Sequence, residues 1–236
     1  MLNQPKETPP PHPVAGIPFL ITFLLGGLAI FLVVPILDGT SPLEIITAPF
    51  GLNDQQLWWY VTRASGLTAY VLFWLSTMWG LAVSSKILDS FMDLNITLIL
   101  HEILSLLGLG FSALHAGVLL FDRFLPFSLA QILVPFISSY RPFWVGTGIL
   151  CLYLALLVTI TFYIRRWITQ PIFRLIHVLS LFSYLGVLFH ALFAGTDSGN
   201  YTVLMFYRIT FLFTVFFGVY WAVRQGRPAD QVNEEE

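Results

Sequence analysis

The chain has 236 residues, of which 57% are hydrophobic and only 10% charged, against roughly a quarter charged in soluble globular domains. That excludes a soluble globular fold, and a net charge of -2 without a large basic or acidic patch excludes a nucleic-acid partner. The single cysteine, Cys151, excludes an intrachain disulfide framework or a cysteine metal site and reads as core packing.

Residues 1–16, MLNQPKETPPPHPVAG, make a polar, proline-rich tail that carries His12. No small-residue cleavage site follows the next apolar run, which reads as a retained helix rather than a signal peptide. Six stretches are long enough to cross a hydrocarbon core of about 30 Å: 17–37, 58–83, 96–120, 143–164, 172–194 and 203–223. Between the first two, Pro42, Pro49 and Gly51 predict irregular chain. Between the third and fourth, Pro126 to Pro142 mixes Phe127, Leu129, Ile132, Leu133, Phe136 and Ile137 with polar residues, the pattern of an interfacial helix interrupted by Pro135. The expected fold is an all-α membrane protein: a six-helix bundle over 17–223 in contact with lipid, followed by a short tail at 224–236.

Threading the six spans alternately sorts the cations. Lys6, Lys86, Arg165, Arg166, Arg174, Arg224 and Arg227 fall on one side, against Arg123 and Arg141 on the other. By the positive-inside rule the first side is cytoplasmic, as are both termini.

Four of the five histidines lie inside apolar spans: His101 and His115 in the third, His177 and His190 in the fifth. An imidazole in hydrocarbon loses its water partners, so an intramembrane ionisable group is first a hypothesis about function. The third and fifth spans are parallel, which puts His101 and His177 in the inner leaflet and His115 and His190 in the outer. On the third span the two histidines are fourteen residues apart, a rise of about 21 Å with a return to within about 40° of the same azimuth. On the fifth they are thirteen apart, and an ideal helix leaves them about 140° apart. The outer ligand there must approach from a different side of the helix, or the helix must depart from ideal.

Haem iron accepts axial imidazoles, and a helical bundle can hold two macrocycles stacked across the bilayer, one between each depth-matched pair. Such a stack forms a transmembrane electron wire. Zinc fits less well, because its sites take three or four close ligands and these donors come in twos. Gly108, seven residues from each histidine of the third span, would let a flat ligand approach the backbone. Gly108, Gly110, Ala113 and Gly117 equally suit close helix packing. Arg63 and Arg208, each about two turns inside the outer end of its span, are candidates for haem propionates or for a nearby anionic oxidant. Snorkelling, or pairing with Asp54 or Asp197, is the plain alternative. Arg174, three residues before His177, reads as a positive-inside anchor ahead of a partner for the inner propionates, Glu102 as a span-end carboxylate ahead of a group that tunes or hydrogen-bonds a ligand, and Trp58, Trp59, Tyr60 and Trp144 as an aromatic belt ahead of an electron path.

Two parallel spans with histidine pairs thirteen and fourteen residues apart resemble the ferric reductase-like transmembrane domain of ferric reductases and NADPH oxidases. So do TRASGLTAYVLFW at 62–74, ILVPFISSYRPFW at 132–144, FRLIHVLS at 173–180 and HALFAGTD at 190–197. The resemblance runs from Trp58 to Val223 and is to bacterial members, implying a bacterial plasma membrane. It implies two b-type haems on His101, His177, His115 and His190, and electron flow from the cytoplasmic to the outer face. Family members that use NADPH carry a C-terminal flavin and nicotinamide domain. Here about a dozen residues follow the sixth span and no glycine-rich dinucleotide fingerprint occurs, so no FAD or NAD(P) site is expected in the chain. The chain is then an oxidoreductase component, its donor a separate flavin reductase or a quinol, its acceptor at the outer face. Two alternatives stand beside this: a quinol-fed or sulfoxide-reductase-type haem subunit of a larger oxidoreductase, and a haem-free protein whose histidines and Glu102 form a proton or metal-ion path.

Overall fold

The computed structural model describes residues 54–122 and 125–225. The predicted first span, the tail with His12, the 38–53 stretch, Arg123 and the residues after Gln225 lie outside the described residues. Among those described, the regular structure is entirely helical: α1 (Asp54–Ser84), α2 (Leu94–Val118), α3 (Leu129–Leu133), α4 (Pro142–Tyr163), α5 (Gln170–Ala194) and α6 (Tyr201–Gln225). Single 3-10 turns at Arg165–Trp167 and Asp197–Gly199 join α4 to α5 and α5 to α6. All of these helices except α3 are long and apolar enough to cross a membrane, so the chain is an integral membrane protein, helical over its described residues. They correspond to the second through sixth predicted spans.

Local chemistry sets the ends. The Asp93 side chain accepts from the Asn95 amide at 2.8 Å and caps α2. Pro142 opens α4 and Pro171 opens α5, where a missing N–H costs nothing. The predicted interfacial helix is short: Ser128 and Gln131 form a capping box, and the chain is already extended at Val134, before Pro135. Phe136 then takes a left-handed backbone (φ 69°), and its ring lies where a side chain on Gly146 would otherwise sit.

α1 packs chiefly against α2, α4 against α5, and α6 against α1. At one end of the bundle the Trp221 indole donates to Ser84 (2.8 Å) and the Tyr163 hydroxyl to Glu102 (2.7 Å). Lys86, Arg165, Arg166, Arg174 and Arg224 belong to the same end. At the other end Tyr140 donates to the Ala194 carbonyl (3.0 Å) and Arg141 to that of Phe193, satisfying carbonyls that the last turn of α5 leaves open. Hydroxyls within the spans bond back to their own helices, as Ser105 does to His101 and Ser112 to Gly108, so few polar groups face hydrocarbon.

The core lies at mid-height, where Tyr70, Tyr184, Leu188 and Tyr207 are buried among Phe73, Trp74 and Phe206. Large apolar side chains such as Phe182, Leu212 and Phe216 face outward, as lipid permits. Cys151 is buried and free, its sulfur filling the hollow over Gly186 where α4 meets α5. Gly186→Ala would overlap that sulfur. Overpacking of this kind costs about 1–3 kcal/mol, and we expect an apparent melting temperature in detergent lower by roughly 2–10 °C; Cys151→Ala in the same chain should recover most of it.

Candidate functional site

The bundle brings the four intramembrane histidines together as two pairs. The His101 and His177 ring centres are 5.9 Å apart with planes at 65°, and those of His115 and His190 are 6.3 Å apart at 80°. Each pair lines its own cleft. The His101–His177 cleft, about 140 Å³, is bounded by Ser76, Gly80, Ser105 and Ser183, and the His115–His190 cleft, about 230 Å³, by Thr62, Gly66, Gly148 and Ile149. Phe73 lines both. Neither cleft is fully enclosed.

The ring nitrogens show which atom each histidine offers. His115 Nδ1 lies 2.8 Å from the Thr62 carbonyl, and His190 Nδ1 lies 2.8 Å from that of Trp144. A carbonyl only accepts, so each Nδ1 carries the proton and each neutral ring keeps a free Nε2 lone pair. Tying one imidazole nitrogen to a backbone carbonyl is the usual second contact of a metal-ligating histidine, because it fixes tautomer and orientation. At the other pair His101 Nδ1 lies 3.3 Å from the Ser76 hydroxyl, while His177 stacks on Phe173 and its buried Nδ1 has no hydrogen-bond partner.

Glycines make room for three of these rings. A side chain at Gly66 would begin 2.8 Å from His115 Nδ1, one at Gly80 3.1 Å from His101, and one at Gly148 2.6 Å from His190 Nδ1. The position of Gly148 also accounts for the thirteen-residue interval on α5. His190 leans onto α4 and is held there by the Trp144 carbonyl, so it reaches His115 from a different side of α5 than the one His177 uses to meet His101.

An imidazole nitrogen ligates a metal at about 2 Å, and the ring centre lies about 1.1 Å further on, so two rings flanking one ion have centres about 6.2 Å apart. Both observed separations match. Among the described residues no group of three or more His, Cys, Asp or Glu side chains comes together. A macrocycle that supplies four equatorial nitrogens needs only the two that each pair offers.

The remaining predicted site residues divide. Arg63 lines the His115–His190 cleft but is engaged: it forms an ion pair with Asp197 and stacks over Trp59 at 3.8 Å. The plain alternative weighed for it from sequence is thus present. Arg208 is exposed on α6 and lines neither cleft, so the structure does not bring it to the histidines. The space over Gly108 is taken by the Phe73 ring, 3.0 Å from where a side chain would start. Glu102 accepts from Tyr163, and Arg174 is exposed near the start of α5. Sequence reasoning missed Gly66, Gly80, Gly148 and Phe73. The glycines left a signal: Gly66 and Gly80 are fourteen residues apart, the interval that separates His101 from His115, as antiparallel neighbours with matched positions require.

Fold and site together define a helical membrane bundle with two stacked histidine-pair clefts. No family model, curated protein or solved structure matches the chain.

Proposed function

We propose that the chain is a haem-binding electron-transfer subunit of the ferric reductase-like kind, carrying electrons across a membrane between a donor at one face and an acceptor at the other. The observation that carries this is the pairing of the histidines in two layers, each with ring centres near the 6.2 Å of an axial pair, and with both rings of one pair tethered through Nδ1 to backbone carbonyls. Haem b bound in each cleft would supply a one-electron couple there.

The chain's own residues would hold the two groups and bring the layers together. His101 and His177 would hold one group, His115 and His190 the other. Phe73 lines both clefts, and the apolar walls lower the local dielectric. The end with Lys86, Arg165, Arg166, Arg174 and Arg224 faces the cytoplasm by the positive-inside rule, which makes His101–His177 the donor-side layer in a bacterial plasma membrane. A flavin reductase or a quinol would serve as donor, and the acceptor would bind at the His115–His190 end.

The test is transfer across a sealed vesicle. Holoprotein reconstituted with ferricyanide inside and a membrane-impermeant reductant outside should bleach the trapped ferricyanide. His101→Ala and His115→Ala should each return the rate to that of protein-free vesicles; an undiminished rate in either variant would contradict the proposal.

A further inference from the structure

Three of the four histidine rings are tied to a neighbouring helix by a hydrogen bond, and the fourth is not. His115 on α2 reaches the Thr62 carbonyl of α1, His190 on α5 reaches the Trp144 carbonyl of α4, and His101 on α2 reaches the Ser76 hydroxyl of α1. His177 on α5 has no such tie: its buried Nδ1 has no hydrogen-bond partner among the described residues.

A second observation, independent of hydrogen bonding, sets the same ring apart. Gly66, Gly80 and Gly148 each leave a hollow that His115, His101 or His190 fills. His177 is among the nearest neighbours of none of the described glycines. What lies on it is Phe173, with ring centres 5.4 Å apart and planes at 28°. Phe173 precedes His177 by four residues on the same helix, about one turn away, so the stack does not join α5 to any other element.

Unequal tethering means unequal ligation. A metal-ligating histidine is oriented by the bond its other nitrogen makes, and loss of that bond costs roughly 10–100-fold in metal affinity. At the His115–His190 layer both rings have such a bond, each to a carbonyl at 2.8 Å. At the other layer His101 has a longer one, 3.3 Å to a hydroxyl, and His177 has none. The lining of the His101–His177 cleft also carries no carboxylate, lysine or arginine among the described residues, and its volume is about 140 Å³. Such a space suits a small neutral ligand better than an ion, which would be buried there without a counter-charge.

We propose that His177 is the releasable ligand of the four, and that its place in the His101–His177 layer is a binding site for a small neutral diatomic molecule of the carbon monoxide class. This rests on the proposed occupancy of both clefts by haem. Without a competitor His177 keeps its place. With one, the bond from the His177 imidazole to ferrous iron breaks, the carbon lone pair of the incoming molecule forms the new bond, and His101 stays on the opposite side. No electron or proton is transferred.

The test is a carbon monoxide titration of dithionite-reduced holoprotein, followed at the Soret band and set against haem content. The parent should bind about one carbon monoxide for every two haems. His115→Ala, expected to keep the His101–His177 centre, should bind about one per haem. His101→Ala, expected to keep the other centre, should bind none at a concentration that saturates the parent. Phe173→Leu keeps all four histidines and takes away the stack, so it should tighten carbon monoxide binding roughly threefold to tenfold. No binding by the haem-loaded parent overturns the proposal, as do equal binding at both layers, binding that survives in His101→Ala, and unchanged affinity in Phe173→Leu. A parent without any haem band is a different failure, that of the occupancy underneath, and the proposal falls with it.

Discussion

His115→Ala is expected to cut the haem content of the purified protein from about two per chain to about one, and to remove one of two reductive steps from a redox titration. The rationale is in the donors. His190 is pinned by the Trp144 carbonyl and faces His115 across 6.3 Å. Among the described residues no third histidine, cysteine or carboxylate stands in that cluster to replace a lost ligand. His101→Ala is expected to do the same to the other centre, and the double variant to lose both. Because each pair lines its own cleft, each single change should leave the other centre's spectrum intact. Pyridine haemochrome content against protein concentration decides the matter; an unaltered ratio in His115→Ala would mean that His115 is not a ligand.

The second large effect is expected at positions that carry no chemistry. Gly66→Val and Gly148→Val leave all four histidines in place, yet each should abolish the His115–His190 centre. A side chain at Gly66 would start 2.8 Å from His115 Nδ1, and one at Gly148 2.6 Å from His190 Nδ1. A free ring could swing aside at little cost. These rings are tethered by carbonyl bonds, so retreat gives up a hydrogen bond worth about 1 kcal/mol on top of about 1–3 kcal/mol of overpacking, and it moves the ring out of its pair. Gly117→Val is the control, since nothing lies within 4 Å of a side chain there. Haem quantification on the three variants, each checked for parent helicity, separates the outcomes. Retention of both centres in Gly66→Val and Gly148→Val would show that the rings are not held as described.

Much of this was legible in the sequence because hydropathy and histidine placement are local signals. Five spans emerge within a few residues of their predicted limits, since an apolar run in a membrane has little choice but helix. The depth-matching of His101 with His177 and of His115 with His190 followed from alternation of the spans. Azimuth was harder. Ideal geometry left His190 misaimed, and what resolves it is a neighbour, the Trp144 carbonyl and the hollow at Gly148, which no pattern within α5 could reveal. The same limit applies to Arg63, whose partner Asp197 is 134 residues away, and to Gly108, whose open side is filled by Phe73 from another helix. The hydrogen bonds of the buried Tyr70 hydroxyl to Tyr184 and Thr210 were invisible for a related reason: three hydroxyl residues scattered over three spans have no spacing that announces them.

If each cleft holds one haem between two histidines, electron paramagnetic resonance of the oxidised protein reads it out. Planes at 65° and 80° place the paired imidazoles far from parallel. The expected spectrum is therefore of low-spin ferric iron with the strongly anisotropic signal that crossed axial imidazoles produce, integrating to about two spins per chain. A protein without low-spin ferric iron, or with high-spin iron that retains an open axial position, would contradict the account.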